Sequence, residues 1–120
     1  MRALSIRQPY AELILRGIKK IEYRSRSTKI IRERFYIYVP AKDGEPEAWI
    51  QLEADPEKRV QLGIDLPTGV IVGTATIDRC IFCPANGHPR KFEWHLGAVA
   101  RLDEPIKPVR KPQPAWFRPF

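Results

Sequence analysis

The sequence has only two cysteines and one methionine, and it contains no long apolar run. Two cysteines cannot supply the disulfide framework that stabilises many small secreted domains. None of the apolar stretches approaches the roughly 18 to 20 residues that a membrane-spanning helix needs. The amino terminus, MRALSIRQPY, reaches Arg7 too early to contain the apolar core of a secretory signal. These absences predict a cytoplasmic protein with no membrane segment.

Basic residues exceed acidic ones. The 120-residue chain has 21 lysines and arginines against 14 aspartates and glutamates, a formal net charge of +7. An excess of this size favours a polyanionic partner, and nucleic acid is the commonest polyanion. The length suits a single hydrophobic core, so one domain over residues 1–120 is expected, and it is taken to be a monomer.

Periodicity and turn signals predict short strands and one early helix. A strand is expected at residues 2–6, and Gln8-Pro9 then opens a helix because proline suits a first helical turn. Tyr10, Leu13 and Ile14 form its apolar stripe, and Gly17 ends it. Further strands are expected at 20–24, 35–39, 70–82 (with a bulge at Gly73) and 91–102, the last burying Phe92, Trp94, Leu96, Ala98 and Ala100.

Two segments differ from this strand pattern. Residues 45–62 are acidic and helix-forming and are broken at Asp55-Pro56, which predicts a short helical insertion. The tail, about residues 103–120, is rich in proline and cannot be a central strand. We expect the tail to cross the edge of the sheet, held by Ile106, Val109, Trp116 and Phe117. Five or six strands with one helix predict a small, mostly antiparallel β-barrel of the α+β class.

The opening stretch SIRQPYAELILRGIKKIEYR, residues 5–24, resembles the first motif of ASCH domains, which belong to the PUA-like superfamily of small β-barrels. The similarity continues in FYIYVPAK, GVIVGTATIDRC, FEWHL and KPQPAWF, so that it spans most of the chain outside the insertion. The resemblance implies a PUA-like barrel with a cleft between the amino-terminal helix and the sheet. Such clefts are expected to bind RNA, DNA or a nucleotide-like ligand, with no cofactor.

The resemblance also implies which polar residues contact the ligand. They are Arg7, Gln8, Lys19, Glu22, Arg24 and Lys42, with Trp94 beside the cleft. Arg26 belongs to the basic loop over residues 24–34, which would form a phosphate-contacting rim of the same cleft or else a solvated loop. Arginine offers a planar fork to phosphate, and the oxygens of Gln8 and Glu22 can accept hydrogen bonds from a base or a ribose. Tryptophan offers a stacking face. The alternatives are a solvated face for Lys20, Glu22 and Arg24, and a core position for Trp94.

A second hypothesis is enzymatic. Some small relatives with this fold are amidohydrolases that deacetylate acetylated cytidine with a lysine, a threonine and a glutamate. Lys19 matches that lysine, but Glu22 occupies the threonine position and would act as a general base instead of a nucleophile. An enzyme of this kind, or a nuclease-like hydrolase, would use Lys19 and Glu22 as its catalytic pair. A third hypothesis, a protein-interaction module of a transcription or translation complex, rests on fold analogy alone.

The spacing of Cys80, Cys83, His88 and His95 is C-x2-C-x4-H-x6-H, which is compatible with a zinc site. Cysteines in an apolar run such as CIFC are more typically small core residues. No metal site is therefore expected, and zinc remains the alternative.

Overall fold

The computed structural model describes residues 1–41 and 66–120. The predicted insertion at 45–62 and Lys42 lie outside the described residues. The elements in chain order are β1 (Ala3–Ser5), α1 (Tyr10–Leu15), β2 (Ile21–Arg24), β3 (Phe35–Val39), β4 (Val70–Phe82), β5 (Phe92–Ile106) and β6 (Trp116–Phe117).

The six strands form one sheet in the order β2-β5-β4-β3-β1-β6. The pair β1 and β3 is parallel, and the other neighbouring pairs are antiparallel. A mostly antiparallel sheet that curves into a half-barrel, with one short helix, confirms the predicted α+β class and is consistent with a PUA-like barrel. Along the described residues, no helix combines the length and apolar character that crossing a membrane requires.

Strand β3 explains why the run FYIYV contains no charged residue. Phe35, Ile37 and Val39 face the main core, whereas Tyr38 faces a smaller cluster that includes Phe117. The strand lies between β4 and β1, and its side chains are largely covered on both faces of the sheet. A strand covered on both faces reads as a continuous apolar run without polar alternation.

Helix α1 buries a face that matches the predicted stripe in part, since Ile14 belongs to the main core and Tyr10 packs against it. Ala11 and Ile14 are fully buried, while Tyr10 and Leu13 are only partly buried. The stripe is therefore centred on Ala11 and Ile14, while Tyr10 packs at the border of the core and also lines a cavity described below. Gly17 follows the helix with φ of +74°, the left-handed conformation that its predicted role as a cap requires.

A buried carboxylate fixes α1 to the sheet. The Glu12 side chain is 4% exposed and accepts hydrogen bonds from Arg101 Nη1 at 2.9 Å and Nη2 at 2.6 Å, and from Arg16 Nε at 2.6 Å. Burial alone raises the pKa of the Glu12 carboxyl, but the bonds from Arg101 and Arg16 outweigh it and hold that pKa below its ordinary value. The clamp joins the helix to β5 and so sets where α1 meets the cavity.

The long hairpin of β4 and β5 contains irregularities that position its side chains. The register shifts between Ile71 and Gly73, which confirms the predicted bulge. A Cβ at Gly73 would lie 2.5 Å from the Ala100 carbonyl oxygen, so only glycine fits this close approach.

On β5, Ala98 has φ of +47° and an extra residue opposes β4 there. The predicted buried face is therefore wrong at Ala98 and Ala100, which are exposed, whereas Val99 packs on the core.

The tail begins later than predicted and is held differently. Strand β5 continues to Ile106, and β6 pairs with β1 at the edge of the sheet through Trp116 and Phe117. Ile106 is 43% exposed and Val109 is 82% exposed, so the prediction that both anchor the tail is wrong. The other two predicted anchors are confirmed, because Phe117 belongs to the smaller core cluster and Trp116 packs on the main core. The Ser5 backbone N–H also donates to the Ala115 carbonyl at 3.0 Å and ties the tail to β1.

Candidate nucleic-acid interface

A cavity of about 570 Å³ opens at the carboxyl ends of the two parallel strands. Ser5 and Ile6 at the end of β1 and Pro40 after β3 form one wall, and β2 forms another. Parallel pairing places both strand ends at the same edge of the sheet, so the turn into α1 and the exit from β3 meet there. The loop between β4 and β5 completes the cavity.

Positive charge dominates the described lining of this cavity. Its cationic side chains are those of Arg7, Lys19, Arg24 and Arg90, and its one carboxylate is that of Glu22. Four cations around one anion leave an excess of positive charge, which water screens less at the partly buried Lys19 and Arg24 than at the exposed Arg7 and Arg90. The arrangement favours an anionic ligand.

Glu22 and Arg24 lie side by side with polar atoms that lack partners. Arg24 Nη2 donates to the Ser5 carbonyl at 2.9 Å, but Arg24 Nε is 3.8 Å from Glu22 Oε1, too far for a hydrogen bond. Arg24 Nε and Glu22 Oε2 are both buried, and neither has a hydrogen-bond partner among residues 1–41 and 66–120. Leaving a buried polar atom unpaired costs about 1 to 3 kcal/mol. A ligand that brings a donor and an acceptor would satisfy both atoms.

Burial changes the pKa values of the two partly buried cations of the cavity, Arg24 and Lys19. It lowers the pKa of Arg24, helped by the neighbouring charges of Arg90 and Arg7 and opposed by Glu22. Burial also lowers the pKa of Lys19, with Glu22 opposing this effect and Arg24 adding to it. The Lys19 Nζ lies 5.1 Å from the ring centroid of Tyr23, within cation–π range. Because Glu22 is only 8% exposed, the alternative of a solvated strand face is wrong for this residue.

The loop between β4 and β5 contributes lining residues that the sequence did not predict as ligand contacts. The His88 ring stacks on Tyr23 with centroids 4.3 Å apart and planes 9° from parallel. Asn86 Oδ1 accepts the His88 backbone N–H at 2.8 Å, and the Arg90 backbone N–H donates to His88 Nδ1 at 2.9 Å. Nδ1 is therefore an acceptor, and a neutral His88 carries its proton on Nε2.

The position of this loop follows from the pairing of the strands, which the sequence alone does not reveal. The residues CPANGHPR join two strands of a hairpin, and β5 pairs with β2, the strand that carries Glu22 and Arg24. The end of this hairpin therefore lies beside the end of β2. Turn chemistry alone marks the segment as a loop and does not show which way His88 and Arg90 point.

Gln8 does not line the cavity. Its Oε1 accepts the Glu12 backbone N–H at 2.9 Å, and its Nε2 donates to the Pro67 carbonyl at 3.1 Å. The side chain is 3% exposed and joins the first turn of α1 to the segment before β4. Its position gives it a structural part in holding the helix.

Trp94 lies beneath the cavity and is 3% exposed. Its Nε1 donates to the Arg26 carbonyl at 3.0 Å, and its ring stacks on Trp116 with centroids 6.0 Å apart. The Arg24 guanidinium lies over the same ring, 5.4 Å from its centroid. This geometry agrees with the alternative that Trp94 is a core residue. Its ring packs against the Arg24 guanidinium and so supports that side chain. Arg26 is exposed and lies outside the lining of the cavity.

The candidate zinc ligands do not converge. No group of three or more histidine, cysteine, aspartate or glutamate side chains is placed to hold a metal in the part of the chain that the structure describes. Cys80 lies opposite Trp94 in the ladder, and His95 Nε2 is 3.3 Å from Glu93 Oε1. Cys83 is a partly buried free thiol, and the structure does not support the zinc alternative.

Comparisons with known proteins agree with the fold. The family model of the ASCH domain matches residues 4–111. Human "Activating signal cointegrator 1" is 35% identical over 82 residues, which is 65% of this chain and 14% of the human protein. The mouse protein of the same name is 34% identical over 82 residues, with the same coverage. The chain thus corresponds to a small part of these relatives, and the match over nearly all of its length shows that it belongs to the ASCH domain family.

Proposed function

We propose that the cavity binds nucleic acid, in particular RNA, or a modified nucleoside. The observation that carries this proposal is the cluster of Arg7, Lys19, Arg24 and Arg90 around Glu22. Membership of the ASCH domain family, which is associated with RNA binding, supports it. The volume of about 570 Å³ lies within the roughly 300 to 1,000 Å³ typical of small-ligand sites.

Different lining residues suit different parts of such a ligand. Arg7, Arg24 and Arg90 contact phosphate oxygens, for which the arginine fork is suited. Glu22 Oε2 accepts a hydrogen bond from a base or a ribose hydroxyl, while Arg24 Nε donates to a neighbouring acceptor of the same ligand. Lys42, predicted as a further phosphate contact, remains a prediction.

Titration of a fluorescent single-stranded RNA at increasing salt concentration tests the proposal. Because phosphates would be contacted by cations, affinity should fall as salt rises from about 50 to 400 mM. The logarithmic slope should be about −2 to −3 if three or four phosphates are neutralised. Absence of binding at the lowest salt concentration would reject the proposal.

One observation favours the amidohydrolase hypothesis as a second candidate. The lowered pKa of Lys19 increases the fraction of neutral amine, and Lys19 lines the same cavity as Glu22. A lysine whose pKa is lowered by burial is typical of bases and nucleophiles in active sites. Glu22 Oε2, which has no hydrogen-bond partner among the described residues, is available to act as the general base that activates a water molecule.

Incubation of the protein with acetylated cytidine, followed by chromatography of the products, tests this second function. Deacetylation should increase with pH as Lys19 loses its proton, because the base form is the active one. Lys19→Ala and Glu22→Ala should each reduce the rate by about 100-fold or more. Activity that survives both substitutions would contradict the assigned chemistry.

A further inference from the structure

The end of β4 exposes an aromatic ring. Phe82 is 61% exposed, and its ring contacts that of Phe92 with centroids 5.1 Å apart. Single exposed apolar side chains are common on protein surfaces, so exposure alone indicates no function. The position of Phe82 within the sheet is the informative feature.

The strand register places Phe82 in one row with a cavity residue. Arg24 on β2 lies opposite Phe92 on β5, and Phe92 lies opposite Phe82 on β4. Residues directly opposite on antiparallel strands point to the same face of a sheet. Neighbouring strands are about 4.8 Å apart, so the row extends about 10 Å from Arg24 to Phe82. One face of the sheet thus continues from the cavity wall to an exposed ring.

The charges around this row favour a polyanion. Arg24 lies at one end of the row, and Arg90 lines the cavity two residues before Phe92. The nearest carboxylate on β5, that of Glu93, alternates with Phe92 and therefore points to the other face, where it contacts His95. An aromatic ring beside cations is the arrangement by which proteins hold single-stranded nucleic acid.

We propose that Phe82 is a stacking platform for the base of a nucleotide adjacent to the one in the cavity. The ligand is then a single strand of at least two nucleotides, since a free nucleotide reaches only the cavity and a duplex keeps its bases stacked on each other. This inference rests on the proposed function and specifies its ligand. Stacking on Phe82 tolerates any base, so sequence preference arises at Glu22 and Arg24.

Binding of a labelled tetranucleotide and of a mononucleotide to the same variants tests this inference. Phe82→Ala should weaken tetranucleotide binding by about 5- to 150-fold, the effect of removing one stacked base. Mononucleotide affinity should not change. Phe82→Trp should retain tetranucleotide affinity, and Phe82→Leu, which keeps the apolar contact with Phe92, should lose it. Val109→Ala removes an apolar side chain that is 82% exposed in the tail and serves as the matched control.

The outcomes separate the inference from the proposed function. Equal tetranucleotide affinity in wild type and Phe82→Leu would reject the platform while leaving the cavity as the binding site. Equal loss of both ligands in Phe82→Leu would also reject it, because stacking outside the cavity cannot affect a mononucleotide. Failure of the wild-type protein to bind either ligand would reject the proposed function together with the platform.

Discussion

Replacing Arg24 with alanine should weaken RNA binding by about 10- to 150-fold, the loss expected when one charge-assisted contact is removed. Among the cavity cations, Arg24 has the contacts that argue most directly for a role in binding the ligand. It is held by the Ser5 carbonyl and by the Trp94 ring, and its Nε has no hydrogen-bond partner among the described residues. The slope of log affinity against log salt should also become shallower by about 0.7, the contribution of one phosphate contact on a single strand. Fluorescence anisotropy over a salt series measures both quantities.

Two further variants show whether this effect belongs to the cavity. Arg24→Lys keeps the charge but lacks the planar fork, so its affinity should lie between those of wild type and Arg24→Ala. Arg110→Ala removes an exposed arginine from the tail, outside the cavity, and should bind almost as well as wild type. Equal losses in Arg24→Ala and Arg110→Ala would show that binding depends on overall charge. Thermal unfolding of each variant verifies that it is folded, because Arg24→Ala leaves Glu22 without its closest cation.

Replacing Trp94 with alanine should lower the free energy of unfolding by about 3 to 5 kcal/mol. The ring is buried, stacks on Trp116 and donates to the Arg26 carbonyl, so truncation creates a cavity and breaks a hydrogen bond. Urea denaturation followed by circular dichroism measures the change.

Trp94→Phe is the matched control for this prediction. Phenylalanine keeps an aromatic ring beneath Arg24 but loses the N–H donor, so the loss should be smaller, about 1 to 2 kcal/mol. Its RNA affinity should stay near that of wild type if the ring only supports Arg24. A Trp94→Ala protein that unfolds at the wild-type urea concentration would contradict the core position of this residue.

Local pattern was sufficient for much of the sheet. The strands 35–39 and 70–82 were predicted with their observed bounds, because runs of β-branched and aromatic residues end there at a proline or a turn. The irregularity at Ala98 has no such signal, since alanine carries no preference for positive φ. The burial of Glu12 was equally hidden, because its partner Arg101 is 89 residues away in the sequence. Contacts between residues that are distant in the sequence determine both features.

The candidate site, like the fold, was predicted only in part from the sequence. The resemblance to ASCH domains named Arg7, Lys19, Glu22 and Arg24, and all four line the cavity. Their contacts with a ligand remain predictions. His88 and Arg90 were not assigned to the cleft, because the direction of a loop depends on hairpin geometry that residue types do not encode. The same resemblance also named Gln8 and Trp94, yet their polar atoms bond to the protein itself.

The cations of the cavity come from three separate parts of the chain: the turn after β1, the segment that contains β2, and the loop between β4 and β5. Folding must therefore bring like charges together and partly remove them from water, which opposes the folded state. A bound polyanion relieves this repulsion, so binding and folding are thermodynamically linked. At a ligand concentration of 100 times Kd, this linkage adds about 2.7 kcal/mol to stability. The proposed complex should therefore be more stable than the free domain, in which this repulsion is not relieved.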